Sequence, residues 1–547
     1  MKSDQSLLNL VKRLNTIGIA LSAERNIDEL LHQILRGARE LTGADGGTLY
    51  RLDAERTHLT FALVQNEALA ISLGGPDAPI PDRFSPIPLR LPDGTPNMRM
   101  VAACAVLEGK TVNIANAYNE PGFDFSGTRQ FDTLNNYRST SFLTVPMRNH
   151  EGDIIAAIQL INKIDDKGNT THFSEQDQDL AESLASQGAI ALTNAELIQD
   201  LHNLFDSFTR VIANAIDAKS AQTGAHCRRV PDLTMMIAKA ADGAAFPGIE
   251  DFVMTESDYY ELSTAAWLHD CGKIVTPHHV VEKSTKLELI TDGINIIAER
   301  IEIIARDWIL VRLSRKLRRG EQLTEEDLVI SADEQQQLQQ MLTFLKTSNT
   351  GGEFMSDEEV AKIRETGQMS YTDIRGVRRP LLTDEEIAFL SIRKGTLSEA
   401  ERQIMQDHMV HTINMLEQLP FPRHLRNVPE YAGGHHERMD GKGYPKGLRR
   451  EQMSVPARMM GIADVFEALT APERSYKKPM PLSQALSILM RMVEQNHLDP
   501  DLFALFIDKQ VYLDYARAYL SQQQIDQIPQ EIVDWAKQQQ RTTMRPE

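Results

Sequence analysis

Five of the fifteen histidines lie after residue 220 in settings that suit metal ligation, widely separated along the chain. His226 lies in Gly224-Ala225-His226-Cys227-Arg228-Arg229-Val230. His269-Asp270 follows an apolar helical stretch, Leu262 to Leu268. His408 follows Ile404-Met405-Gln406-Asp407, and His435-His436 precede a long Gly-rich segment ending Gly443-Tyr444-Pro445. Asp464 sits in a helix opened by Pro456, a good first-turn residue. Neutral imidazoles suit first-row transition metals, and carboxylates can bridge two of them. Two ions roughly 3.5–4 Å apart can hold both the attacking and the leaving oxygen of a phosphodiester. As helix neighbours, His269 and Asp270 project about 100° apart and can still reach one cluster beside the helix.

The 547 residues leave room for two or three domains at roughly 100–200 residues each. With 41% apolar and 25% charged residues, the composition excludes a disordered, collagen-like or disulfide-dense chain. A net charge of −19 makes a DNA duplex or an anionic membrane a poor partner. Cys104, Cys227 and Cys271 are sparse and odd in number, which suits a reducing compartment. No apolar run is long enough to span a bilayer, and the amphipathic N-terminal segment (Leu7, Leu8, Leu10, Val11, Leu14) lacks a signal-peptide core. The expectation is a cytoplasmic protein with neither DNA nor membrane among its partners.

The first third reads as α+β. Asn26-Ile27-Asp28-Glu29 has the pattern of a capping box, and Ile27, Leu30, Leu31, Ile34, Leu35, Ala38 and Leu41 recur at helical spacing. Gly46-Gly47 reads as a break, with strands over Thr48 to Leu52 and His58 to Val64. Phe142 to Met147 and Ile154 to Asn162 flank a hairpin turn at Asn149 to Gly152, and Gly74 to Pro96 reads as a long loop. This order of elements resembles a GAF domain over residues 20–196. Asn162-Lys163, Phe173 and Asp177 are similar to a late motif of cyclic-nucleotide-binding GAF domains, with Gln178 where that motif has Glu. The resemblance implies a sensor, with Asn162, Lys163, Phe173 and Asp177 near a small-molecule or cyclic-nucleotide ligand. The alternative is that Asn162, Lys163 and Asp177 tie a helix to a sheet.

A connecting helix is expected over 174–220. Leu184, Ala191, Ile198, Phe205 and Ile212 recur every seven residues, accompanied by Gln187, Asn194, Leu201, Phe208 and Ala215. Such a seam suits a parallel homodimer.

Three later segments resemble the HD-GYP phosphodiesterases of the HD metal-dependent phosphohydrolase superfamily. They are His269-Asp270-Cys271-Gly272-Lys273, His435-His436 through Tyr444-Pro445, and Ile462-Ala463-Asp464-Val465-Phe466-Glu467-Ala468-Leu469-Thr470. The resemblance implies an all-helical domain over 205–510 that hydrolyses cyclic di-GMP, or the related 3',3'-cyclic GMP-AMP, to a linear dinucleotide. It implies that His226, His269, Asp270 and Asp464 hold one metal. His408, His435 and His436 would hold a second, with Asp270 bridging and acting in catalysis. Lys273, Arg474 and Lys477 would contact substrate phosphates, and Gly443, Tyr444 and Pro445 would shape the pocket. Iron is the favoured metal and manganese the alternative.

Two departures matter. Some members hold a third metal through a Glu four residues before the first histidine; position 222 is Gln222, so two metals are expected. Asp270 and His408 are also far more widely separated than in the family, so 288–393 reads as a mostly helical insertion. It has an apolar helical pattern (Ile294, Ile297, Ile301, Ile304, Trp308, Leu310), then a basic run (Arg312, Arg315, Lys316, Arg318, Arg319) that reads as a solvated face. His278-His279 and His411 read as lying outside the cluster. The full expectation is multidomain: an N-terminal helix over 1–19, the α+β sensor, the long helix, the interrupted all-α domain and a helical tail over 511–547. A catalytically silent dinucleotide receptor and an HD phosphohydrolase acting on another nucleotide are the competing functions.

Overall fold

The computed structural model describes residues 2–75, 78–219, 225–352, 354–471 and 479–542. The chain divides into two compact units, Met1–Phe205 and Asp206–Glu547.

In the first unit, helices α1 (Lys2–Ala23) and α2 (Ile27–Thr42) precede strands β1 (Ala44–Leu52), β2 (His58–Asn66), β3 (Ile71–Leu73) and β4 (Ile87–Pro88). Helix α3 (Val101–Glu108), β5 (Val112–Ile114), α4 (Ser126–Asn135), β6 (Phe142–Arg148), β7 (Ile154–Ile164) and β8 (Thr170–Thr171) follow. The strands form one antiparallel sheet ordered β3-β2-β1-β7-β6-β5, with β4 on β2 and β8 on β7. Because alternate side chains face opposite ways, Leu49 and Tyr50 enter different cores. Leu49, Leu143, Val145, Ile158 and Leu160 pack with Leu30, Ile34 and Leu35 of α2; Tyr50, Leu59 and Ala157 pack with Ala102, Ala103 and Val106 of α3.

Gly46 and Gly47 do not break β1; they lie inside it. A Cβ on Gly47 would stand 2.8 Å from Leu35 Cδ1, and one on Gly46 2.8 Å from Asn66 Nδ2. The glycines allow α2 and the neighbouring strand to come close. The start of α2 is capped by Asn26, whose Oδ1 accepts from Asp28 N and Glu29 N. The reciprocal bond expected from Glu29 is supplied instead by Glu24, which accepts from Asn26 N at 2.9 Å.

Helix α5 (Glu175–Lys219) is a single 45-residue helix. Its open face keeps one row of the seam read in the sequence (Asn194, Leu201, Phe208) and departs from the row that begins at Leu184. Leu184 is buried in the first unit's core, while Ile190, Leu197, Ile198, Leu201, Leu204, Phe208 and Val211 are exposed, Leu201 at 63%. The exposed seam therefore runs Ile190, Asn194, Leu197, Leu201, Leu204, Phe208, Val211, alternating steps of four and three. Packing of the helix's first turns against α2, at Ile34 and Gly37, uses up the face that carries Leu184.

The second unit contains α6 (His226–Ala241), α7 (Glu256–Leu268), the short α8 (His278–Val281), then α9 (Ile294–Arg319), α10 (Ala332–Asn349) and α11 (Asp357–Gly367). A small hairpin, β9 (Ser370–Thr372) with β10 (Arg378–Pro380), precedes α12 (Asp384–Leu390). The remaining helices are α13 (Glu399–Glu417), α14 (Val428–Gly433), α15 (Val455–Thr470), α16 (Leu482–Glu494), α17 (Pro500–Asp508), α18 (Val511–Tyr519) and α19 (Gln530–Thr542). Helix α15 packs on α6, α6 on α7, and α14 on α7, α13 and α15. The segment read as a tail belongs to this core: Tyr515 packs against Phe466, and Trp535 against Phe503.

The insertion has its own apolar core. Ile297, Ile301 and Ile304 of α9 meet Leu338 and Leu345 of α10, Ile363 of α11 and Leu390 of α12. Its basic run is partly spent inside the module, with Arg312 on Glu334 at 2.5 Å and Lys316 on Asp327 at 2.7 Å. At the module's base, Lys286 Nζ donates to Leu390 O at 2.9 Å and Lys283 Nζ pairs with Glu401 at 2.6 Å. Truncating fully buried Ile297 to alanine should destabilise the insertion by about 2–5 kcal/mol. Amide hydrogen exchange should then speed up across α9–α12 while α6 and α7 keep their protection.

Candidate metal centre

Helix α7 ends at Leu268, so His269 is its C-cap and Asp270 precedes a 3-10 turn, Cys271–Ile274. The pair thus sits at a helix end rather than within a helix, as the sequence had suggested. The turn lies against α13: a Cβ on Gly272 would collide with the carbonyl oxygen of His408, and Gly272 N donates to Thr412 Oγ1 at 2.9 Å. Glycine here lets the two ligand-bearing segments touch backbone to backbone. His408 lies on α13, which starts with a reciprocal Ser398–Glu401 capping box. Asp464 lies on α15, capped by Ser454. His226 opens α6, and His435-His436 follow α14.

All seven ligand-type residues converge. The ligand atoms of His408, His435 and His436 lie within 4.8 Å of one another, as do those of His226, His269 and Asp464, and those of His269, Asp270 and His435. Asp270 Oδ2 is 3.4 Å from His226 Nε2 and 3.3 Å from His269 Nε2, while Oδ1 is 3.4 Å from His408 Nε2. Lys273 Nζ pairs with Asp270 Oδ2 at 2.6 Å.

The imidazoles are oriented from behind. Nδ1 of His269 faces Ala266 O at 2.7 Å, Nδ1 of His435 faces Ala432 O at 2.7 Å, and Nδ1 of His408 faces Met405 O. A carbonyl can only accept, so each Nδ1 carries the proton and each Nε2 presents a lone pair. Those Nε2 atoms, together with Asp270 Oδ1, are buried and have no hydrogen-bond partner. Four orphaned ligand atoms at one place are costly to bury unless a cation satisfies them. The donor set therefore fits metal ions.

Ionisation agrees. Burial pushes His435 down to about 4, with the nearby His269 adding to it, and burial holds His436 well below its usual value, so both are neutral ligands at pH 7. Burial alone would raise Asp270, but the Lys273 charge outweighs it and, with the hydrogen bond from His226, holds the carboxyl well below the carboxylate range. Asp464 is likewise held down, its burial overcome by the hydrogen bond to His226.

Sequence reasoning missed the support for His226. Glu467, one turn beyond Asp464 on α15, bonds His226 Nδ1 with one carboxylate oxygen and receives Arg229 Nε at 2.7 Å on the other. A glutamate on an otherwise apolar helix face was the available signal. Glu437 does similar work for the glycine-rich segment: its carboxylate accepts from Lys446 N at 2.7 Å and Leu448 N at 2.9 Å. Gly443 lies against the backbone of Glu437 and Arg438, where a Cβ would collide. Tyr444 stacks on His436 with ring centroids 4.9 Å apart, and Pro445 follows it. Arg474, Lys477 and Gln222 lie outside the described residues. His278 and His279 are exposed on α8, and His411 stands outside the ligand groups.

In the first unit the four residues proposed near a ligand are all engaged internally. Lys163 Nζ pairs with Asp177 at 2.5 Å, and Asp177 accepts from Ser174. Asn162 accepts from Thr140 N at 2.7 Å and donates to Arg138 O, and Phe173 is buried in the core. Lys163 and Asp177 join β7 to the start of α5, and Asn162 ties β7 to the segment before β6.

With this geometry established, comparison with known families is direct. The GAF domain family model matches residues 26–192, and two HD domain models match 223–333 and 384–502. The chain carries a GAF domain followed by an HD domain. The HD matches lie on the two halves that supply the ligand residues, and each extends into the insertion. Among the relatives, a 3'3'-cGAMP-specific phosphodiesterase 3 of Vibrio cholerae is 40% identical over 115 residues, 20% of this chain and 23% of that one. The 3'3'-cGAMP-specific phosphodiesterase 1 of the same organism is 38% identical over 127 residues, 23% of this chain and 28% of that one. A cyclic di-GMP phosphodiesterase of Pseudomonas aeruginosa is 47% identical over 116 residues, 21% of this chain and 27% of that one. The chain thus covers less than a third of these three relatives. Among the described residues, no helix is long and apolar enough to cross a membrane.

Replacing Glu467 by glutamine should lower metal affinity about 10- to 100-fold while the helices remain formed. Chelator competition together with far-ultraviolet circular dichroism checks this.

Proposed function

We propose that this chain is a metal-dependent phosphodiesterase that opens a cyclic dinucleotide, cyclic di-GMP or 3',3'-cyclic GMP-AMP, to a linear dinucleotide under control of its GAF domain. The observation that carries the reading is the set of orphaned buried ligand atoms on His269, Asp270, His408 and His435. The names of the relatives supply the substrate class.

His226, His269, Asp270 and Asp464 would hold one ion, and His408, His435 and His436 a second, with Asp270 serving both. Iron is the favoured metal and manganese the alternative. Such ions supply a nucleophile at neutral pH and charge stabilisation for in-line displacement at phosphorus. The chain's own residues do the rest. Lys273, held on Asp270, places a cation beside the carboxylate, where a substrate phosphate oxygen would be received. The loop of Gly443, Tyr444 and Pro445, folded onto Glu437, walls the pocket and fixes His436 through the tyrosine ring. Arg474 and Lys477 complete the proposal as phosphate contacts.

The partner we assign to α5 is a second copy of the chain. Its exposed seam is heptad-spaced and free of charge in a protein of net −19. Asn194, a polar residue within it, suits a parallel pair in fixed register. Leu201→Glu with Leu204→Glu should give a monomer by analytical ultracentrifugation; a persisting dimer would locate the interface elsewhere.

Protein purified without oxygen should carry two metal ions per chain and linearise at least one of the two dinucleotides. His269→Ala and Asp270→Ala should abolish turnover with the fold retained, as read by circular dichroism. Full activity in either variant would overturn the assignment.

A further inference from the structure

The last residue of α5 reaches the segment that follows the His-Asp pair. Lys219 Nζ donates to Ile274 O and Thr276 O, each at 2.6 Å, and to Lys273 O at 3.1 Å. An ammonium has three protons, and here three carbonyls take them. Two of those carbonyls, of Lys273 and Ile274, end the 3-10 turn and the third, of Thr276, follows it, at a turn end where a positive charge is favoured. Two turns and more back along the same helix, Asp206 receives Tyr260 Oη at 2.9 Å, and Arg210 stands over the Trp267 ring at 5.8 Å. Both partners are on α7, which leads into His269. Asp217 Oδ1 lies 3.4 Å from Cys227 N, the residue after His226. The end of α5 therefore touches the neighbours of two ligand-bearing segments.

We infer that Lys219 is a positioning residue for the metal centre: by gathering the carbonyls of 273–276 it keeps Lys273 on Asp270, and it makes the placement of α5 an input to the site. The catalytic consequence rests on the phosphodiesterase reading. The contact is sensitive by construction. A change in where α5 ends acts on three hydrogen bonds at once, two of them 2.6 Å long. Lys273 holds its pairing only while the turn that bears it keeps its shape.

The test uses the full-length, metal-loaded protein with Lys219→Met, which removes the donors, and Lys219→Arg, which retains them. In the methionine variant the amides of Lys273, Val275 and Thr276 should exchange faster. The value of kcat should fall about 10- to 100-fold, with KM within about twofold and metal content at the wild-type level. Arginine should restore both protection and rate. Wild-type kcat and protection in the methionine variant would overturn the inference. So would equal loss of metal and rate in both variants, which would mark Lys219 as general fold support. If the wild type binds metal but cleaves neither dinucleotide, the phosphodiesterase reading falls, and the exchange rates alone decide whether Lys219 holds the turn.

Discussion

Asp270 is the centre on which the HD domain is arranged. Its carboxylate is 1% exposed and faces His226, His269, His408 and Lys273 at 2.6–3.4 Å. A carboxylate buried that deeply must be compensated, and one lysine does not satisfy both oxygens. The imidazoles around it cannot close the balance, because their Nδ1 protons are committed to backbone carbonyls and Glu467. A cation is the missing partner.

The local backbone follows from that demand. Ending α7 at Leu268 frees Asp270 from the helix, and glycine at 272 lets the turn lie on the His408 helix. Outside the ligands, a layer of polar groups aims them. Helix carbonyls serve three histidines, Glu467 with Arg229 serves His226, and Glu437 pins the loop that brings Tyr444 onto His436. This layer fixes which nitrogen of each ring faces inward, and hence whether the site can take a metal at all.

The insertion and the GAF domain illustrate two ways of adding to such a core without disturbing it. The insertion enters between α8 and α13 and closes around its own isoleucine-rich centre. Its attachment is made by Lys283, Lys286 and the residues that flank them. The GAF domain spends Lys163 and Asp177 on fastening β7 to the first turn of α5, and Asn162 on the segment before β6. Within the second unit, the last residue of α5, Lys219, meets the turn after Asp270.

The sequence alone supplied the chemical vocabulary and the coarse order of parts: the histidine and aspartate words, the α+β pattern of the first third, the long helix and the helical region after it. These survive as one-dimensional signals because ligand type, turn residues and periodicity are local. Which heptad face of α5 is open was not local, since two registers fit the same apolar residues and only packing against α2 buries Leu184 while Leu197 and Leu204 stay exposed. The roles of Glu467 and Lys219 were not local for a related reason. A glutamate on a helix and a lysine at a helix end resemble solvated residues until other helices close over the one and a carbonyl-lined turn meets the other. Sequence fixes which groups are available; their burial and pairing are decided only when distant elements pack.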